Sequence, residues 1–381
     1  DRSVSRGLGD VYKRQEEKLG VGFYTGVPDS LLSPFTGEIM TRYGVCDKHV
    51  IAANEGNATG LAAGYYLATG KIPCIYMQNS GQGNMLNPYA SLLAPDVYKI
   101  PAVFVVGWRG EPGTKDEPQH VFQGKITVKL MELLQIESEV ITADTTIEEL
   151  EKMAVRMKTL LENGACVGFV IEKGALETEH KMKYSNVYTV SREDALKEIV
   201  RGIGGDIVIS TTGKASRELF EIRESNGSSH QYDFLTVGSM GHSSSIALGV
   251  ALQKKEKKVW CIDGDGAMLM HMGAMALMGA NKPQNLVHIV LNNESHETVG
   301  GMPTVAGSID IPKIAAGCGY EKVYTASTLE EIRHAVATAR ANAELALIEI
   351  KVALGARADL GRPTTTAEEN KKSFMQFVQE N

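Results

Sequence analysis

Residues 259 to 297 read VWCIDGDGAMLMHMGAMALMGANKPQNLVHIVLNNESHE, and they set an aspartate and an asparagine where two apolar runs stop. Val259 to Ile262 and Leu286 to Leu291 have strand length; the first leads into Gly264-Asp265-Gly266 and the second into Asn292-Asn293. In a parallel sheet both ends lie at the carboxyl edge, so Asp265 and Asn293 can meet there. Two hard oxygen ligands suit a Mg²⁺ that keeps its other positions for water and phosphate oxygens. Gly266 lets the backbone come close to a phosphate, and the helix start at Ala267 favours its negative charge. A dinucleotide fingerprint fails here, because GxGxxG needs glycine at position 269 and Leu269 stands there. A plain α/β turn with a chance Asn pair is the remaining competitor.

Further residues have chemical types worth placing. Glu55 opens the Gly/Ala-rich run EGNATGLAAGYYLATG directly after a β-rich segment. A Glu there is either a partner of the helix dipole or, if buried beside a cofactor, a general acid/base. Thr211 to Arg217 (TTGKASR) lies between a strand and a helix. Its backbone, at Gly213 in particular, can receive an anion or can form an ordinary capped helix start. The methionines at 268, 270, 272, 275 and 278 have helical spacing and read as core packing.

The elements that must hold these residues follow an α/β pattern given twice: two domains, each a mainly parallel sheet flanked by helices. In the first half strands are expected near 21–24, 49–51, 72–77, 102–106 and 167–171, with helices over 55–69 and 146–162. In the second they are expected near 207–210, 257–262, 286–291 and 346–352, with a helix start at Ser191 backed by Glu193 and Asp194. The expected division is a leader at 1–15, a first domain at 16–176, a linker at 177–190 and a second domain at 191–381. Within the last, GARADLGRPTTT (355–366) forms a loop or lid before a final helix.

Composition bounds the function. The chain has 381 residues, 43% hydrophobic and 6% aromatic, as a folded enzyme would have. A net charge of −7 without a basic stripe argues against nucleic-acid binding. No apolar run approaches the roughly 20 residues of a membrane helix. The five cysteines are scattered, without a CxxC pair, and fit a reduced, cytoplasmic protein. Asp10 to Gln15 (DVYKRQ) matches the translation of a common sequencing adapter, so residues 1–15 are expected to be an assembly artefact.

The Gly264-Asp265-Gly266 … Asn292-Asn293 pattern resembles the cofactor motif of thiamine diphosphate (ThDP) enzymes. That resemblance implies that Asp265, Asn293 and the Ser295 carbonyl are Mg²⁺ ligands, with Gly213, Gly264, Gly266 and Ala267 lining the diphosphate. It also implies that Glu55 hydrogen-bonds the aminopyrimidine ring and so promotes loss of the thiazolium C2 proton. In Gly238-Ser239-Met240-Gly241, Ser239 would contact the cofactor and Met240 would prop it in its bent form. A narrower resemblance rests on FYTGVPDSL (23–31), NSGQGN (79–84), WRGEPG (108–113), DEPQH (116–120), HETVGG (296–301) and GRPT (361–364). From about Gly20 onward the chain closely resembles phosphonopyruvate decarboxylases, although family members often carry Asp-Ser where Glu297-Thr298 stand here.

The implied reaction is ThDP- and Mg²⁺-dependent decarboxylation of 3-phosphonopyruvate to phosphonoacetaldehyde, in phosphonate biosynthesis. Such a substrate, an anionic 2-oxo acid, needs fixed cations: Arg109, Lys115 and His120 lie in one loop, and Arg357 and Arg362 in the tail. Asp29 and His120 are candidate proton donors beside Glu55. The resemblance also implies at least a homodimer in which Glu55 and Asp265 of different subunits meet. Sulfopyruvate decarboxylation is the nearest alternative. A non-catalytic binding subunit would be expected to have lost Glu55, Asp265 or Asn293, and all three are present.

Overall fold

A computed structural model describes residues 18–178 and 182–380; the expected leader at 1–15 lies outside the described residues. The described residues form two compact units, one running from residue 18 to Lys183 and including Val299–Met302, the other comprising Tyr184–Thr298 and the chain from Pro303 to residue 380.

The first unit runs β1 (Val21–Gly26), α1 (Ser33–Tyr43), β2 (His49–Ile51), α2 (Glu55–Thr69), β3 (Ile72–Gln78), α3 (Gln82–Pro88), β4 (Val103–Gly107), α4 (Pro118–Leu133), β5 (Glu137–Ile141), α5 (Ile147–Glu162) and β6 (Val167–Ile171). Its six strands are parallel in the order β2-β1-β3-β4-β6-β5. Side chains alternate between two cores: Cys74 and Tyr76 of β3 face one cluster, Ile75 and Met77 the other. Helices cover both faces, which is why the inner strands read as unbroken apolar runs.

The second unit runs α6 (Arg192–Ile203), β7 (Ile207–Ser210), α7 (Lys214–Ser225), β8 (Asp233–Leu235), α8 (Ser243–Gln253), β9 (Val259–Gly264), α9 (Asp265–Met270), α10 (Gly273–Asn281), β10 (Leu286–Asn292), α11 (Ile311–Cys318), β11 (Lys322–Ala326), α12 (Leu329–Ala341), β12 (Ala346–Lys351) and α13 (Ala367–Glu380). Its parallel strands are ordered β11-β12-β10-β9-β7-β8. Counted from its own first strand, this is the order of the first unit, so one topology occurs twice. Each sheet therefore has a switch point, β1/β3 in one and β7/β9 in the other, where a crevice opens at the carboxyl ends.

The methionine expectation needs one correction. Met268, Met270, Met275 and Met278 are buried, but the helical run breaks at His271 and Met272 is 39% exposed. All five cysteines are free, with Cys74, Cys166 and Cys261 buried. Among the described residues no helix is long and apolar enough to cross a membrane.

A buried ion pair ties α7 to β8. Arg223 meets Asp233 through two bonds of 2.9 and 3.0 Å and donates to the Gly204 carbonyl at 2.6 Å. Both side chains are inaccessible, so Arg223→Leu would strand a buried carboxylate. The expected loss is about 3–5 kcal/mol in a urea melt, and a loss below about 1 kcal/mol would contradict it.

Candidate active site

At the carboxyl edge of the second sheet the chain leaves β9 at Gly264 and turns at once into α9, so Asp265 stands at a helix start. Its carboxylate accepts the Thr304 hydroxyl at 2.5 Å and the backbone N–H groups of Gly266 and Asn293. The structure thus brings Asp265 and Asn293 together from adjacent strands. Burial pushes the Asp265 carboxyl up to about 6, despite these hydrogen bonds. Among the described residues no cation pairs with it.

Asn293 is buried; its Oδ1 accepts the Ser295 N–H at 3.1 Å and its Nδ2 donates to Glu297 at 3.0 Å. Ser295 is also buried and bridges to Pro303. Gly266 faces the His296 ring and the Met240 tip: a Cβ there would lie 3.3 Å from His296 Nδ1 and 3.5 Å from Met240 Cε. Met240 is half-buried, and Ser239, exposed, meets His242 at 3.2 Å. Gly213 precedes α7 with φ of +93°, and a Cβ on it would stand 3.5 Å from Thr298.

The residue types present fit Mg²⁺ and a diphosphate. Among the described residues, a buried carboxylate lacks a cation, and the buried Thr211 Oγ1 and His296 Nδ1 lack hydrogen-bond partners. Gly264 has open space where a Cβ would stand, and Gly266 is buried against His296 and Met240, with Ala267 in the first turn of α9. Asp265, Asn293 and Ser295 would hold the ion, and Thr211, Gly213, Gly264 and Gly266 the phosphates. The sequence reading did not single out His296; its only signal was its place in the HETVGG run. Burial lowers the His296 pKa to about 4, so the ring is neutral in the folded protein. An unfolded chain takes up the proton below about pH 6.5, so in cofactor-free protein this residue erodes stability as pH falls from there toward 4. The cost reaches about 2–3 kcal/mol at the acid end. His296→Gln should therefore flatten the fall in melting temperature between pH 7 and 4.5, and an unchanged slope would refute it.

In the first unit, α2 begins at Glu55 behind an Asn54 cap that accepts from Asn57. Glu55 is buried, its pKa is raised by that burial, and Asn84 of α3 donates to Oε2 at 2.8 Å. Gly81 leaves the room: a Cβ there would lie 2.3 Å from Oε1. Asp29, after β1, is fully buried and its carboxyl is also pushed up by burial. It accepts from Gln78 at 2.7 Å and from the Leu31 N–H at 3.0 Å.

Arg109, after β4, is held by Asp116 through bonds of 2.7 and 2.5 Å and donates to Ser30 at 3.2 Å. Burial opposes ionisation of Asp116, but the guanidinium and two backbone N–H groups hold it well below the usual carboxylate range. His120 does not share the loop of Arg109 and Lys115 as expected but lies buried in the first turn of α4; burial and Arg109 lower its pKa, and among the described residues its Nδ1 has no hydrogen-bond partner. Asp29, Arg109 and His120 thus share one neighbourhood, whereas Lys115 is exposed. In the second unit Arg357 is exposed and engaged by Glu193, Glu221 and Asp359, and Arg362 is exposed.

Residues 8–133 match the thiamine pyrophosphate enzyme N-terminal TPP binding domain, and residues 211–350 the C-terminal TPP binding domain. Fold and site therefore define a ThDP enzyme. The chain is 36% identical to a phosphonopyruvate decarboxylase of Streptomyces viridochromogenes, over 94% of this chain and 92% of the relative. It is 34% identical to one of Streptomyces hygroscopicus, over 95% and 92%. A sulfopyruvate decarboxylase of Methanosarcina acetivorans is 28% identical over 78% and 79%. The chain belongs to the family of ThDP-dependent decarboxylases, carboxy-lyases, that includes these phosphonopyruvate decarboxylases.

Proposed function

We propose that this decarboxylase converts 3-phosphonopyruvate to phosphonoacetaldehyde and CO₂ in phosphonate biosynthesis, with ThDP anchored by Mg²⁺. The observation that carries the cofactor part is the meeting of a buried Asp265, which no cation among the described residues offsets, with Asn293 beside Gly266. The substrate part is supported by the relatives: two at 34–36% over nearly the whole chain act, by name, on phosphonopyruvate. Sulfopyruvate is the second reading, favoured by the 28% identical relative.

When bound, ThDP supplies the carbon nucleophile and electron sink that cleavage next to a carbonyl needs. The chain's part is positioning and proton control. Asn84 donates to Glu55 Oε2, so a proton carried by Glu55 resides on Oε1, the oxygen beside Gly81. Burial raises the Glu55 pKa, so the group holds that proton more readily than an ordinary glutamate, which suits a general acid/base. Arg109, its plane set by Asp116, offers a fixed guanidinium to the phosphonate or carboxylate. His120, neutral with an unpartnered Nδ1, adds a neutral hydrogen-bonding group. In the net reaction the C1–C2 bond breaks, CO₂ leaves, and a proton takes its place on C2. Asp29, protonated more readily than an ordinary Asp, is our candidate donor. Lys115 and Arg362 are further candidate cations, and Arg357 joins them only if it exchanges a carboxylate partner for substrate. The 355–366 segment is proposed as the lid.

We further propose a cytoplasmic homodimer in which Glu55 of one subunit and Asp265 of the other share a site. The α2 face bearing Gly60, Leu61, Gly64 and Leu67 is exposed, and so is the α10 face bearing Ala276 and Leu277. Apolar faces of this kind are what an interface covers. The test is aldehyde formation from phosphonopyruvate and from sulfopyruvate at equal concentrations, with light-scattering mass in parallel. Faster turnover of sulfopyruvate would overturn the substrate, and a monomer would overturn the shared site.

A further inference from the structure

Glu297 joins two helix starts and the loop after β10 in the second unit. Its Oε1 pairs with Lys214, the first residue of α7, at 2.8 Å. Its Oε2 pairs with Arg192, the first residue of α6, at 2.9 Å and also accepts from Asn293 Nδ2 at 3.0 Å. Arg192 is itself fixed by Glu218, through bonds of 2.7 and 2.9 Å in a buried setting. A carboxylate pinned by two cations has little freedom to turn away, so the amide beside it must answer to it.

We propose that Glu297 is a positioning residue for the metal: it dictates which end of the Asn293 amide is presented as ligand. A carboxylate accepts and never donates when ionised, so it takes the NH₂ end and turns Oδ1 away from itself. The Ser295 N–H donates to that same Oδ1 at 3.1 Å, so both neighbours select one orientation. A flipped amide would set oxygen against the Glu297 carboxylate and NH₂ against the Ser295 N–H. Mg²⁺ accepts only the oxygen end. The Glu297 side chain reaches Arg192, Lys214 and Asn293 at once.

The inference rests on the proposal that Asn293 ligates Mg²⁺, and the experiment separates the two. Mg²⁺ is titrated by calorimetry into full-length protein saturated with ThDP, for wild type, Asp265→Ala, Glu297→Ala, Asn293→Asp and the Glu297→Ala/Asn293→Asp pair. Wild-type binding that Asp265→Ala abolishes establishes the metal site; no wild-type binding overturns both ideas. Glu297→Ala is then expected to weaken Mg²⁺ binding about tenfold or more, as loss of a ligand-orienting partner does. A carboxylate at 293 has no wrong end, so in the Asn293→Asp background the orienting part of that penalty disappears. An effect of folding alone would weaken both backgrounds alike. An equal penalty in the two, or none in wild type, overturns the positioning role. Glu297→Met, which fills the space without a carboxylate, replaces the alanine variant if that one fails to melt cooperatively.

Discussion

Glu55→Gln is expected to cut decarboxylation by about 10²–10⁴-fold while the protein still binds ThDP. The substitution keeps volume and the Asn84 contact but removes the exchangeable proton from a position where burial has raised the carboxyl pKa. Because the group is buried and its ionised form is disfavoured, the amide should not destabilise the fold. A melt at pH 8 should show equal or higher stability, since the wild-type carboxylate carries a desolvation penalty once ionised. The sign is fixed by the raised pKa: the penalty is present above the folded pKa and absent below the unfolded one. Turnover within about threefold of wild type would remove Glu55 from the proton-transfer role, since acid/base groups contribute far more than that. Loss of ThDP binding together with turnover would instead make it a docking contact. Gly81→Ala provides a second reading of the same geometry, because the added Cβ would press on Glu55 Oε1.

Much of this arrangement is legible in residue order, and the part that is not has a common cause. Inner strands such as β4, β6, β9 and β10 are buried on both faces, so they stand out as apolar runs. The strands β5 (ESEVI), β8 (DFL) and β11 (KVYTA) were not among the expected ones. Each lies at or next to a sheet edge or is three residues long, so a one-sided or brief contact leaves little apolar signature. The break at His271 was missed for a related reason, since helix-favouring residues continue through it and only tertiary packing interrupts them. The placement of Asp265 and Asn293 was legible because each follows directly from a strand end, and that of Glu55 because it opens a helix shortly after one. Their supports come from far away in sequence: Thr304 for Asp265, Asn84 for Glu55, and Arg192 and Lys214 for Glu297. No local pattern names such partners; the two repeated sheets bring them together.

Asp265→Asn should change stability and cofactor retention in opposite directions. Without metal, the Asp265 carboxyl has a pKa of about 6 against an ordinary 3.8, because it is buried and no cation among the described residues offsets it. A shift of that size corresponds to about 2–3 kcal/mol borne by the folded state when the group is ionised. The penalty is complete above about pH 6 and vanishes below about pH 3.8. Asn is isosteric and uncharged, and the Thr304 hydroxyl, 2.5 Å away, can rotate to accept from the new NH₂. Chelator-treated Asp265→Asn should therefore be more stable than wild type at pH 8, by at most that amount, with the gap closing toward pH 4. Adding Mg²⁺ and ThDP should reverse the ranking. Wild type gains binding free energy that the variant, deprived of its anionic ligand, does not, and turnover falls with the lost cofactor. A variant that gained as much melting temperature from Mg²⁺ and ThDP as wild type would show that Asp265 does not anchor the ion. A variant less stable than wild type at pH 8 without metal would show that its hydrogen bonds outweigh the burial of its charge. Opposing signs are what a site held ready for a cation would entail: the cost of burying the Asp265 charge is borne by the protein before any ion arrives.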